Sequence, residues 1–216
     1  MLTPPLTLPL TDGLGNGNRH GLCEVLGAEA WNRLPEAVRD RFGDATESVS
    51  YAGAFEIVRA SRLGRVIAWL GKLIGTPVAP RTGLDVEALV RVRPDAHGVA
   101  WDREYRWADG ARHLVRSTKV ADGYGKLIEK LPARLCMPLH TFEEGGVLHF
   151  VSRGYYFDLA AGFRLWLPAV LSPGVTHVEH IDLAHGWFRF TMTVTHPLFG
   201  EVFFQTGRFC ATEELS

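Results

Sequence analysis

From residue 84 onward, hydrophobic and polar residues alternate with a period of two. That period puts successive side chains on opposite faces of a strand. It predicts strands over 85–93, 99–107, 112–120, 124–131, 134–142, 147–157, 175–183, 187–196 and 201–210. Turn-forming pairs separate most of them: Pro94-Asp95, Asp109-Gly110, Asp122-Gly123, Gly145-Gly146, His185-Gly186 and Phe199-Gly200. Regular strands with such short breaks predict an antiparallel meander rather than βαβ units. A short helical or irregular piece over 161–171 interrupts the run before Pro173.

The first part of the chain is patterned differently. Trp31, Leu34, Val38 and Phe42 recur at three- and four-residue spacing, which predicts a helix over 27–42. Pro35 inside this run suggests two helical pieces. Residues 47–60 alternate like a strand, with Gly53 as a possible bulge. A second helix is predicted over 63–74; it is apolar enough to pack on the sheet, to cover a cavity or to touch a membrane surface. Gly64 and Gly71 weaken it by about 1 kcal/mol each relative to alanine. A loop over 76–83 follows. Residues 1–22 read as a flexible tail without a signal peptide, because proline and glycine interrupt the leucines. Residues 23–216 form one domain. The fold class is α+β and mostly antiparallel β: a curved sheet or barrel of eight or nine strands, with one or two N-terminal helices packed on it or capping it. Closure into a barrel removes the exposed edges. The absence of a long helix after the last strand argues against a helix-grip fold.

Composition narrows the function classes. The 23 Lys and Arg balance 24 Asp and Glu, so no basic field gathers nucleic acid. No apolar run approaches the roughly 20 residues that span a bilayer. Cys23, Cys136 and Cys210 are odd in number and lack metal-ligand spacing, which suits free thiols in a reducing, cytoplasmic setting.

Candidate chemistry follows from strand parity. Trp101, Arg103, Tyr105 and Trp107 share one face, opposite Asp102, Glu104 and Arg106, and the aromatic face should point inward. Arg103 is then either a structural arginine stacked on aromatics or the anchor for an anionic head group. Glu129 alternates with Leu127 and Leu131; it is either half of a structural pair with an arginine or a general acid or base. His177 and Glu179 share a face with Val175, Ile181 and Leu183 and form an acid–base candidate. The His177-x-x-His180 spacing resembles metal ligands, but on a strand those two rings face opposite sides, so no metal site is expected. Arg153 and Tyr155 share a face with His149 and are candidate ligand contacts. No phosphate-binding loop, dinucleotide fingerprint, nucleophile elbow or H-E-x-x-H occurs, and no cofactor is expected.

Several short patterns occur in order: Leu34-Pro35-x-x-Val38-Arg39, Trp101-x-Arg103-x-Tyr105, Gly125-x-Leu127-x-Glu129, and Arg153 followed by Leu167-Pro168-x-x-Leu171-x-Pro173. Phe188-x-Phe190 and Pro197-Leu198-x-Gly200 with Thr206-Gly207 complete the series. Together they resemble an uncharacterised bacterial domain family that is sometimes fused behind reductases of the saccharopine-dehydrogenase type. The family often carries a histidine after its first helix, where this chain has Phe42-Gly43. The resemblance implies an architecture and, through the fusions, a possible partner enzyme; it implies no activity.

The residues themselves suggest a barrel pocket for an apolar small molecule of acyl, polyketide or terpenoid type. Trp101, Tyr105 and Trp107 would form its walls, and Arg103 would hold a polar end. Any chemistry would be cofactor-independent cyclisation or isomerisation, with Glu129 or the His177/Glu179 pair moving a proton. The alternative is a non-catalytic accessory module that docks a partner enzyme such as a reductase. A lumen on the order of several hundred Å³ would favour the pocket, and a filled barrel the module.

Overall fold

The computed structural model describes residues 21–43, 47–71, 81–96, 98–122, 124–159 and 162–212. Nearly all of the expected tail, the end of the second helix, most of the loop after it and the last four residues lie outside the described residues. Three short helices open the described chain: α1 (Leu22–Leu26), α2 (Ala28–Arg33) and α3 (Glu36–Phe42). Pro35, which has no N–H to continue α2, stands at the N-cap of α3 and divides the expected helix in two. After β1 (Val49–Ala60) comes α4 (Arg62–Gly71), which packs against the first and last strands and leaves Val66 and Trp69 exposed. The remaining strands are β2 (Gly83–Asp95), β3 (Gly98–Arg106), β4 (Arg112–Ala121), β5 (Leu127–Lys130), β6 (Leu135–Glu144), β7 (Val147–Ser152), β8 (Tyr156–Asp158), β9 (Arg164–Trp166), β10 (Val175–Asp182), β11 (Phe188–His196) and β12 (Gly200–Ala211).

Ten of these strands close into an antiparallel barrel. Neighbours follow chain order from β1 to β7, continue through β10, β11 and β12, and return to β1. The ring is thus a meander, as the alternation and turn pairs predict, with β1 as its tenth member. The hairpin β8–β9 lies outside the ring and extends the sheet from β6. It accounts for two departures from the expected strands. The predicted 147–157 strand breaks after Ser152, where Gly154 takes a positive φ of 109° that other residues rarely adopt. Part of the piece read as helical or irregular forms β9. Gly53 is not a bulge either. The register shifts between Phe55 and Ile57, and Gly53 instead sits where a Cβ would strike the Arg208 carbonyl of β12.

The lumen is lined by one parity of each strand. Phe55, Val86, Val90, Trp101, Tyr105, Val115, Leu127, Met137, Leu148, Phe150, Phe188, Phe190, Met192, Phe203 and Phe209 make a single core. An eight-stranded barrel is just wide enough for its own side chains to fill. Ten strands leave surplus width, and α3 supplies side chains to it. Phe42 stacks on Trp101 of β3 with centroids 5.2 Å apart and meets Phe150 of β7 and His180 of β10. Arg41 lies over the Phe188 ring at 3.7 Å. Residues from three separated strands surround Phe42, so α3 acts as a plug in one end of the barrel.

Candidate functional site

The barrel carries a charged cluster inside its aromatic lumen. Strand β3 turns Trp101, Arg103 and Tyr105 inward, followed by Trp107, and all four are buried. Their alternation with Asp102, Glu104 and Arg106, which pair on the outer surface, enforces that orientation. Arg103 stands opposite Val115 on β4, and the same face of β4 carries Ser117 and Lys119. Lys119 in turn stands opposite Glu129 on β5. The result is a buried group in which Lys119 Nζ lies 3.3 Å and Arg103 Nη2 3.8 Å from Glu129 Oε1. Arg103 also donates to Ser117 Oγ at 3.4 Å.

Burial alone would push the Glu129 carboxyl up. Lys119 and Arg103, helped by Ser117, outweigh that and hold it below the usual carboxylate range. Burial pushes the Lys119 ammonium down, and Glu129 only partly restores it. Two basic side chains therefore share one carboxylate in the barrel wall.

Beside them stands His180, which is 3% exposed. Phe42, Phe150, Phe188 and Phe190 surround it, and its Nδ1 has no hydrogen-bond partner. Burial, then Arg41, Lys119 and Arg103, hold it far below its usual pKa, so the ring is neutral at pH 7. Trp101, Arg103, His180, Phe188 and Phe190 border a cavity of about 10 Å³, room for about one water.

Farther along the lumen, Tyr105 donates its hydroxyl to Gln205 Oε1 at 3.0 Å. Both residues are essentially inaccessible. Tyr105→Phe is expected to lower stability by about 1–3 kcal/mol in urea unfolding, because the amide oxygen of Gln205 loses its partner away from water. Tyr155 is also internal. It is hydrogen-bonded to Thr176 Oγ1 at 2.7 Å, and its hydroxyl is pushed up to about 12 by burial.

The other expected residues lie elsewhere. Arg153 is exposed at the break after β7 and does not reach the lumen. His177 and Glu179 sit on the outer wall, because β10 turns Thr176, Val178 and His180 inward. They cannot share an interior ligand with Glu129. On that outer wall they meet His149 of β7, which stands opposite Glu179. His149 Nδ1 is 3.1 Å from His177 Nε2, and Glu179 Oε1 is 3.7 Å and 3.9 Å from those two nitrogens. Phe142 stacks on His149 at 4.7 Å, and burial holds the His149 ring below its usual pKa. An open groove of about 560 Å³ crosses another part of the outer wall beside Trp187, but its Glu56 is already paired with Arg208 and Arg189.

Reading along the chain misses Lys119, His180 and His149 as site residues. The parity of β4, with Val115, Ser117 and Lys119 in step, is the signal that places Lys119 inside.

The molecule is a closed, ten-stranded meander barrel with a helical plug and a buried basic–acidic cluster. The chain belongs to the family described as a domain of unknown function (DUF4166), whose model matches residues 34–209. No curated protein and no solved structure matches it. Among the described residues no helix is long and apolar enough to cross a membrane.

Proposed function

We propose that the barrel interior binds a small molecule with an apolar body and an anionic end, and that α3 is the plug over this site. The observation that carries the reading is the buried set of Arg103 and Lys119 sharing the single carboxylate of Glu129 beside the aromatic cavity. A second anionic group would complete the pairing of these cations and could accept a hydrogen bond from Arg103. The surplus width of ten strands, now occupied by Phe42 and Arg41, supplies the space for the apolar body. The present cavity is water-sized, so uptake requires α3 to withdraw. The element that must move is short: α3 has seven residues and is preceded by the Pro35 break. The reading is one of binding. Catalysis would be narrower still, with the charged Glu129 as the base for an isomerisation or cyclisation.

Tryptophan fluorescence titrations with medium- and long-chain carboxylic acids and the matching alcohols test this. Phe42→Ala frees the lumen and is expected to bind the acids about tenfold tighter than the parent, since closure no longer taxes binding. Arg103→Met is expected to abolish the preference for acid over alcohol while near-ultraviolet circular dichroism stays native. If Phe42→Ala takes up neither class, the pocket reading fails.

The second reading, an accessory module that docks a partner enzyme, is favoured by the filled lumen and by the exposed Phe163, Trp166 and Leu171 around β9.

A further inference from the structure

We propose that His149, His177 and Glu179 form a binding site for a divalent first-row transition metal on the outer wall of the barrel. The inference is independent of the interior reading, because the three side chains lie on the opposite face of the sheet from Arg103 and Glu129.

The geometry argues for it. Nδ1 of His149, Nε2 of His177 and Oε1 of Glu179 form a triangle with edges of 3.1, 3.9 and 3.7 Å. The circle through those atoms has a radius of about 2.1 Å, which is the metal–ligand distance of imidazole and carboxylate sites. One ion can therefore touch all three with little movement. The three atoms converge because of backbone register: Glu179 is paired with His149, and His177 with Val151. Both strands belong to a closed ring, which fixes the ligand positions more firmly than a loop does. Phe142 stacked on His149 further restricts that ring. This is the only such group of histidine, cysteine and carboxylate ligands among the described residues.

The donor set selects the class of ion. Two imidazoles and one carboxylate suit zinc, iron, cobalt or nickel; calcium and magnesium prefer shells of oxygen. Three protein ligands leave a position open. The side chains of His177 and Glu179 are 38% and 32% exposed, so that position faces solvent and takes water or a small anion.

The test is isothermal titration of the tag-free full chain with Zn²⁺, together with visible absorption of the Co²⁺ form. The expected result is one equivalent of Zn²⁺ bound at about micromolar Kd or tighter, and a d–d spectrum from Co²⁺. His177→Ala and Glu179→Gln are each expected to weaken binding by tenfold or more, about the loss seen when even a supporting residue of a metal site is removed. His185→Ala, in an exposed turn, is expected to leave it unchanged. Glu179→Gln keeps size and shape, so it remains informative if His177→Ala does not fold. Absence of stoichiometric binding by the parent, or binding that survives Glu179→Gln and His177→Ala, overturns the proposal.

Discussion

Replacing Glu129 with glutamine is expected to cost the folded state about 3–5 kcal/mol, the range for removing one partner of a buried ion pair. The loss comes less from a missing attraction than from what is left behind. Arg103 and Lys119 are each about nine-tenths buried, and Glu129 is the carboxylate both approach. Lys119 can shed its proton when the counter-charge goes; Arg103 cannot, because guanidinium stays protonated in proteins. Urea unfolding at pH 7 measures the effect. A second change, Lys119→Met, should be strongly non-additive with Glu129→Gln, since it removes one of the stranded cations. A loss below about 1 kcal/mol for Glu129→Gln, in the range of an exposed pair, would mean that water reaches the cluster and that the lumen is not sealed.

Acid is expected to weaken the domain through a histidine before it does so through a carboxylate. His180 is held well below 6.5 in the folded protein, whereas in the unfolded chain it titrates near the ordinary value. Its contribution is therefore complete above pH 6.5. It falls as pH drops below that point, because only the unfolded chain takes the proton. The slope is about 1.4 kcal/mol for each pH unit until the folded ring itself protonates. Glu129 is also depressed, so its contribution is complete above about 4.5 and is lost only as pH falls farther. Unfolding midpoints measured between pH 7 and pH 5 should fall for the parent and fall much less for His180→Leu. Equal slopes in the two proteins would show that His180 is not the group responsible. His149, also held low by burial, supplies the residual slope expected in the variant.

How far the molecule was legible from sequence depended on how sharply each strand separates its two faces. On β3, charged Asp102, Glu104 and Arg106 alternate with aromatic residues, and the inward face follows directly. On β10 the contrast is inverted. The inner face reads Thr176, Val178, His180, while Val175 and Ile181 sit on the outer one. Hydropathy alone does not say which side of the sheet His177 and Glu179 occupy. The family was recognisable from short ordered patterns, and the closed barrel from regular strands. Two features were out of reach in principle. His149 and His177 meet through the register of separate strands, which spacing along a chain does not encode. Phe42 was visible as part of an apolar stripe, but nothing in that stripe says it enters a lumen left over by ten strands rather than lying on the outside of the sheet.

The seam of the ring joins β1 to β12, with Tyr51 beside Ala211 and Ala60 beside Phe203. The remaining junctions are local hairpins except β1–β2, which are joined through α4, and β7–β10, which are separated by the β8–β9 excursion, so much of the barrel can zip up as it leaves the ribosome. The seam cannot. Until the last strand emerges, β1 carries a bare edge, its row of unpaired amides open to neighbouring chains. The domain is thus most vulnerable to misassembly in the interval between synthesis of its first and last strands. The high contact order of that final pairing places its folding in the slow, millisecond-to-second class typical of all-β proteins.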